Sequence, residues 1–507
     1  MRRIVATALI ALPAALPLAA QLPRGPAAIT EAGVRRRMNL IAADSMQGRD
    51  TPSRGLDLTA AYVDREFKRM GLTPLGEKGS SISGYRIFTR HIDGAGSSVT
   101  LSGPGGSSGA LTFASAAQFA FGTPPVGIRT LPVAVLGGTL KETDALDPAL
   151  TRGKAILFVG DWSKGMPRGV TLSAAAALTG QAEMVLMPMN APAGPLFGLS
   201  AGDAALNPVS REGANWFLAS AQDSALAARW PSLATRLTAL RATPSMVAEP
   251  LEGWTITTDI KANDTDQQTV PNAAAMLRGS DPRLRDEYVV ISAHMDHVGH
   301  RCNGVTPADS VCNGADDDAS GTVGVLELAK AFATAPTRPK RSVIFLIVSG
   351  EERGLWGSDA WAAKPPVPIG QIVANLNMDM VGRNWKDTVV AIGQEHSDLG
   401  RSLTQVTASH PELRMTAIGD QWPAEGTYYR SDHFHFARRG VPILFFTSGF
   451  HADYHGVTDS PEKIDAEKEA RLLKVLYYLA RDVADRPARP QWQPESYRRI
   501  VEPAYQH

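Results

Sequence analysis

Residues 287–296 read Glu287-Tyr288-Val289-Val290-Ile291-Ser292-Ala293-His294-Met295-Asp296, and this stretch decides the fold class. Its apolar run is short, β-branched and unbroken, as in a strand covered on both faces. It ends on a histidine and a carboxylate. The pattern returns downstream. Residues 342–348 run into Ser349-Gly350-Glu351-Glu352, and residues 372–378 run into Asp379. Residues 442–447 lead toward Tyr454-His455-Gly456-Val457-Thr458-Asp459-Ser460. Between the first two runs, Asn313-Gly314-Ala315-Asp316-Asp317-Asp318-Ala319-Ser320-Gly321 opens a helix expected over 321–333, and a second helix is expected over 467–483. Strands alternating with helices imply an α/β fold with a mixed, mainly parallel sheet flanked by helices. Such sheets carry their chemistry at the strand C-terminal ends.

Outward from this core, residues 29–72 hold two helical stripes, one through Val34, Met38 and Ile41 and one through Leu58, Ala61, Phe67 and Met70. Thr51-Pro52-Ser53-Arg54-Gly55 breaks the chain between them. Residues 80–118 are rich in Gly and Ser and suit strands and loops. We therefore divide the chain into an N-terminal part of the catalytic domain at 21–118, an inserted smaller α+β or β domain at 119–250, the catalytic core at 251–485 and a Pro/Arg-rich, extended tail at 486–507. The insert has short apolar runs at 133–136, 155–159 and 184–187, helix-like Ala-rich stretches at 172–182 and 219–241, and few residues able to do chemistry. Arg2 and Arg3 precede an apolar stretch to Ala20 that is broken by Pro13 and Pro17. That stretch is short for a membrane span of about 20 residues. It reads as a cleaved signal peptide over 1–20, which sends the protein to the periplasm or beyond with no membrane span after cleavage.

Lys+Arg and Asp+Glu both number 51, so no basic excess points to nucleic acid. Only 2 cysteines are present, which excludes a disulfide-built scaffold and an all-thiolate zinc site. In an oxidising compartment Cys302 and Cys312 read as a disulfide that pins the loop ahead of Asp317. A loop this short makes the bond worth about 2–3 kcal/mol. Acid and histidine clusters at several strand ends of one sheet are the signature of a metal site, because carboxylates crowd together only around a compensating cation. Two zinc ions about 3.5–4 Å apart, sharing one carboxylate, need two histidines and three carboxylates, with a further carboxylate left as base.

Taken together, H-x-D, D-D-A-S-G, E-E, N-x-D and Y-H-x-x-x-D-S resemble the motifs of the co-catalytic di-zinc exopeptidases. That family includes bacterial leucine aminopeptidases, aminopeptidase Y and the glutamate carboxypeptidases. The resemblance covers about 29–110 and 251–485, and the middle segment is similar to the protease-associated insert of such enzymes. It implies that His294 and Asp379 hold one zinc, Glu352 and His455 the other, and Asp317 bridges them. It makes Glu351 the general base, Asp296 the carboxylate that orients His294, and Tyr454 a donor to the oxyanion. It also places a cis peptide at Asp317–Asp318. Met295, Gly456 and Ser460 depart from the usual pattern. His451 rivals His455, and Asp316 and Asp318 rival Asp317. Ser431-Asp432-His433 cannot form a catalytic relay, since three consecutive residues do not converge in space. Asp432 and His433 are instead candidates for the substrate pocket. His297, His300, His410 and His507 read as solvated or loop histidines.

The function implied is a secreted metallo-aminopeptidase with two Zn2+ per chain, acting on peptides with a free N-terminus. A glutamate-carboxypeptidase-like enzyme or dipeptidase is the alternative, and it needs a basic residue such as Arg383, Arg430 or Arg438 for a substrate carboxylate. A glutaminyl cyclase would use one zinc. A receptor-like module with a dead site would lack ligands or base, and none is missing here.

Overall fold

The computed structural model describes residues 23–106, 108–113, 116–138, 148–161, 182–190, 205–206, 209–211 and 217–501. The expected signal peptide and all but the last residue of the helix-like stretch 172–182 lie outside them. No helix among the described residues is long and apolar enough to cross a membrane.

The strands that matter for the site are β1 (Ile82–Asp93), β2 (Ala262–Leu277), β3 (Tyr288–His294), β4 (Ser342–Val348), β5 (Ile372–Met378), β6 (Thr388–Ile392), β7 (Thr416–Ile418) and β8 (Ile443–Thr447). They lie in the order β1-β2-β4-β3-β5-β8-β6-β7. The four in the middle, β4, β3, β5 and β8, are parallel. β2 joins β4 antiparallel and β6 joins β8 antiparallel, so the sheet is mixed. Every residue of β3, β4, β5 and β8 is buried. Continuous apolar runs are what a parallel strand needs when helices cover both faces.

One face is covered by α1 (Glu31–Ile41), α2 (Arg54–Arg69), α3 (Gly321–Thr334) and α4 (Ala466–Asp485). Val34, Phe67, Val323, Phe332, Leu472 and Leu476 from these helices share one core with the sheet. The other face is closed by Trp361, Tyr428, Phe434 and Phe436. Thr30, Ser53 and Asp465 cap α1, α2 and α4 by accepting from amides at the helix starts.

A second sheet stands between β1 and β2 in the chain. Its order is Ser108–Thr112, Ser98–Ser102, Val247–Ile260, Gly127–Gly137, Ala155–Val159, Met184–Met189, Phe217–Gln222 and Ala117–Gly122. It therefore begins before residue 119 and ends beyond residue 250. Residues 219–222 are strand rather than helix, and helices follow at Asp223–Ala227 and Pro231–Arg241. Parallel pairing of 217–222 with 184–189 overrides the local alanine preference. The tail is not extended throughout. Pro494–Ile500 is a helix, Trp492 donates to the Gly440 carbonyl at 2.9 Å, and Ile500 is buried.

Candidate metal centre

The polar residues that follow β3, β4, β5 and β8 meet in one place because parallel strands end on the same edge. His294 closes β3, Glu351 and Glu352 follow β4, Asp379 follows β5, and Tyr454 and His455 lie in the loop after β8. Asp317 comes from the turn into α3, and the Asp317–Asp318 peptide is cis.

The distances separate two groups around one carboxylate. His294 Nε2 stands 3.5 Å from Asp317 Oδ1 and 3.6 Å from Asp379 Oδ1. His455 Nε2 stands 3.1 Å from Asp317 Oδ2 and 3.0 Å from Glu352 Oε2. Ligands about 2.1 Å from a tetrahedral zinc ion stand roughly 3.4 Å apart. Both imidazole nitrogens are buried and make no well-formed hydrogen bond. A buried polar atom without a partner is costly unless something binds it. The donor set therefore fits two cations that share Asp317.

Electrostatics agree. Burial lowers the His455 pKa, but the Asp317 and Glu352 carboxylates outweigh it and raise it to about 10. Burial also works on Glu352, yet its contacts with His297 and His455 hold it well below the usual range. Burial pushes Glu351 well above the usual carboxylate range, opposed by the His294 charge. Tyr454 is pushed above its usual value by burial, so its hydroxyl keeps its proton.

The rivals resolve. His451 Nε2 pairs with Asp316 Oδ2 at 3.2 Å, away from Asp317. Asp316 Oδ1 accepts from the Gly382 amide, and Asp318 Oδ1 accepts from the Gly321 amide. Asp317 alone faces both histidines. The last aspartate of the Y-H-x-x-x-D-S stretch has a structural task. Asp459 accepts from the amides of Asp316 and Asp317 and so fixes the turn that presents Asp317. His455 itself has φ of 51°, in the left-handed region.

Asp296 differs in detail from expectation. His294 Nδ1 lies 3.1 Å from the Asp296 main-chain carbonyl and 3.6 Å from its Oδ1, so the carbonyl is the hydrogen-bond partner. The carboxylate holds the neighbouring turn instead, with Oδ1 accepting from the Glu351 amide at 3.3 Å and Oδ2 from the Thr51 hydroxyl at 2.9 Å. Asp432 and His433 lie beneath the cleft rather than in its wall, and both are fully buried. His433 stacks on Phe445 and shares its Nε2 proton with the Tyr428 carbonyl at 2.7 Å. Burial lowers its pKa to about 4 and raises that of Asp432 to about 7. Neither Asp432 oxygen accepts a hydrogen bond of ordinary geometry, because the nearby Ser358 hydroxyl donates to the Leu355 carbonyl.

Three residues escaped the sequence reading. His297 is not solvated. It is buried, and its Nδ1 lies 2.9 Å from Glu352 Oε1, so it holds the carboxylate that faces His455. Arg49, also buried, donates to the carbonyls of Met295, Ile41, Asn313 and Gly314 at 2.7–2.9 Å. It clasps the segments that carry His294 and Asp317. Thr51 bridges Asp296 and the Gly350 amide. No spacing rule marks any of the three, since each acts across a long sequence separation. Cys302 and Cys312 are joined, with Cα atoms 6.0 Å apart.

Residues 272–480 match the model of peptidase family M28. That segment is similar to the members of this family. The M28 segment carries every residue of the metal cluster. The chain is 28% identical over 268 residues to a probable zinc metalloprotease of Pyricularia oryzae, which covers 43% of this chain and 50% of that protein. It is 29% identical over 254 residues to leucine aminopeptidase 1 of Paracoccidioides brasiliensis, covering 43% of this chain and 62% of that one. The chain spans about half the length of the curated relatives it matches first. Among solved structures, an aminopeptidase from Aneurinibacillus sp. strain AM-1 superposes with a TM-score of 0.48 at 18% identity, covering 92% of this chain and 97% of that one.

Proposed function

We propose that this chain is a secreted zinc aminopeptidase that removes residues from the free N-terminus of peptides. The observation that carries this reading is the position of Asp317. Its two oxygens face two unpartnered imidazole nitrogens, with a half-buried glutamate, Glu351, lining the same cleft. Relatives named as zinc metalloprotease and leucine aminopeptidase support the metal and the reaction class. The disulfide supports an oxidising compartment, in line with a signal peptide over 1–20. The second sheet would then be the protease-associated-like insert.

His294 and Asp379 would hold one zinc, Glu352 and His455 the other, and Asp317 both. Bound there, zinc supplies Lewis acidity to the scissile carbonyl and to the attacking water. Glu351 takes the proton of that water and returns it to the leaving amine. Its raised proton affinity suits a base that must later act as an acid. Tyr454 keeps its proton and donates to the carbonyl oxygen as negative charge grows there. His297 and Asp296 hold Glu352 and the Glu351 turn, so these side chains do not need to reorganise.

The test joins metal analysis to kinetics on the chain lacking residues 1–20. We expect two zinc ions per chain, hydrolysis of leucine anilide and no hydrolysis of N-blocked dipeptides. Glu351→Gln should keep both ions and lose about 10²–10⁴ in kcat. Glu352→Gln should lose an ion first, because an amide is a poor zinc ligand. Saturation at one ion per chain, or a near wild-type rate in Glu351→Gln, refutes the assignment.

A further inference from the structure

The cleft over Glu351 contains a cation that the hydrolytic mechanism does not use. Asp317, Glu351 and Asp379 stand at its metal end, and Trp422, Phe445 and Phe450 are among its walls. Arg430 also lines it. The Arg430 guanidinium lies over the Phe450 ring, 5.1 Å from its centroid. Phe450 in turn meets the Tyr454 ring edge-on at 5.2 Å. Arg430 therefore stands one aromatic ring away from the residue that faces the scissile carbonyl.

Of three arginines with the right sign, only this one fits. Arg383 is committed to Asp453 at 2.8 Å. Arg438 lies over Phe434 and does not line the cleft. Among the described residues no carboxylate pairs with Arg430. A guanidinium drawn over a ring by cation–π attraction keeps its N–H donors for other partners. That fork matches a carboxylate with two parallel hydrogen bonds. An extended residue spans about 3.3–3.6 Å, so a group one or two residues from the scissile bond can reach it.

We infer that Arg430 is an anion subsite, which binds a substrate carboxylate within about two residues of the bond being cut. The carboxylate is an acidic side chain or the free C-terminus of a very short peptide. The subsite rests on the hydrolytic reading above and narrows its substrate class. Aromatic walls select for apolar groups beside the metal end, and Arg430 selects for charge at the other.

The experiment measures kcat/KM of the zinc-loaded chain on two matched pairs. Leu-Gly against Leu-Gly amide reports a free C-terminus, and glutamyl anilide against glutaminyl anilide reports a side chain. We expect the charged member of one pair to be favoured by about 10- to 100-fold, the span of a charge-assisted hydrogen bond. Arg430→Met should bring that ratio near one. Arg430→Lys should keep part of it, since it retains the charge and loses the fork. A wild-type ratio near one in both pairs overturns the subsite, and so does a ratio that survives Arg430→Met. If no substrate turns over, the hydrolytic reading falls and the subsite with it. Turnover without discrimination removes the subsite alone.

Discussion

Thr51→Val isolates the contribution of the N-terminal segment to the metal centre. Thr51 is fully buried. Its hydroxyl donates to Asp296 Oδ2 at 2.9 Å and accepts from the Gly350 amide at 3.1 Å. Valine has the same shape and neither function. The substitution leaves a buried carboxylate oxygen without that donor and a buried amide without an acceptor. A lost bond to a charged group costs about 1.5–3 kcal/mol and an orphaned amide about 1–3 kcal/mol. We expect the metal-free chain to lose about 3–4 kcal/mol, read from urea unfolding with an unchanged slope. Thr51→Ser keeps the hydroxyl and should cost about 1 kcal/mol for the lost methyl. The Asp296 carbonyl also holds His294 Nδ1, so Thr51→Val should weaken zinc binding about 10- to 100-fold in a competition titration, as loss of groups behind metal ligands does. If valine and serine variants unfold at the same midpoint and bind zinc alike, Thr51 does not position this site.

Two further outcomes can be checked independently. Peptide mapping without reductant should recover Cys302 joined to Cys312, and the double serine variant should lose about 2–3 kcal/mol of stability. His433, whose pKa burial lowers to about 4, should make the metal-free chain sensitive to acid. The unfolded imidazole titrates near 6.5, so below that pH the unfolded state binds the proton first. Stability is intact above about pH 6.5 and falls by about 3 kcal/mol as pH drops toward 4. His433→Gln cannot titrate and should lack that part of the slope in urea midpoints at pH 7 and 4. Equal slopes would refute the assignment.

The strands β3, β4, β5 and β8 were legible because each is a continuous, mostly apolar run, α3 because it is apolar almost throughout, and α4 because its apolar periodicity is strong. The candidate metal residues were legible for a related reason. Each sits immediately after such a run, or beside a motif of fixed spacing, so chain position alone implies a shared sheet edge. The extent of the second sheet was less legible. Several of its strands, 217–222 among them, owe their form to pairing partners remote in the chain, such as Val99 with Thr258 and Phe217 with Met184. The tail was misread for the same reason. Its proline and arginine content hides the Trp492 and Ile500 contacts that dock it.

The sequence by itself determined the fold class and, through the motifs it shares with the di-zinc exopeptidases, a candidate ligand set and base in which Asp317 and His455 still had rivals. These follow from local pattern, because backbone periodicity and strand-end position are properties of short segments. Only the tertiary structure decided which aspartate of Asp316-Asp317-Asp318 faces both histidines, and that His451 belongs to Asp316 and not to the metal cluster. Only it showed His297, Arg49 and Thr51 behind the ligands, and Arg430 in the cleft beside them. Direction and distance between side chains depend on how remote segments pack, and one residue's neighbour at 3 Å leaves no mark on its neighbours in the chain.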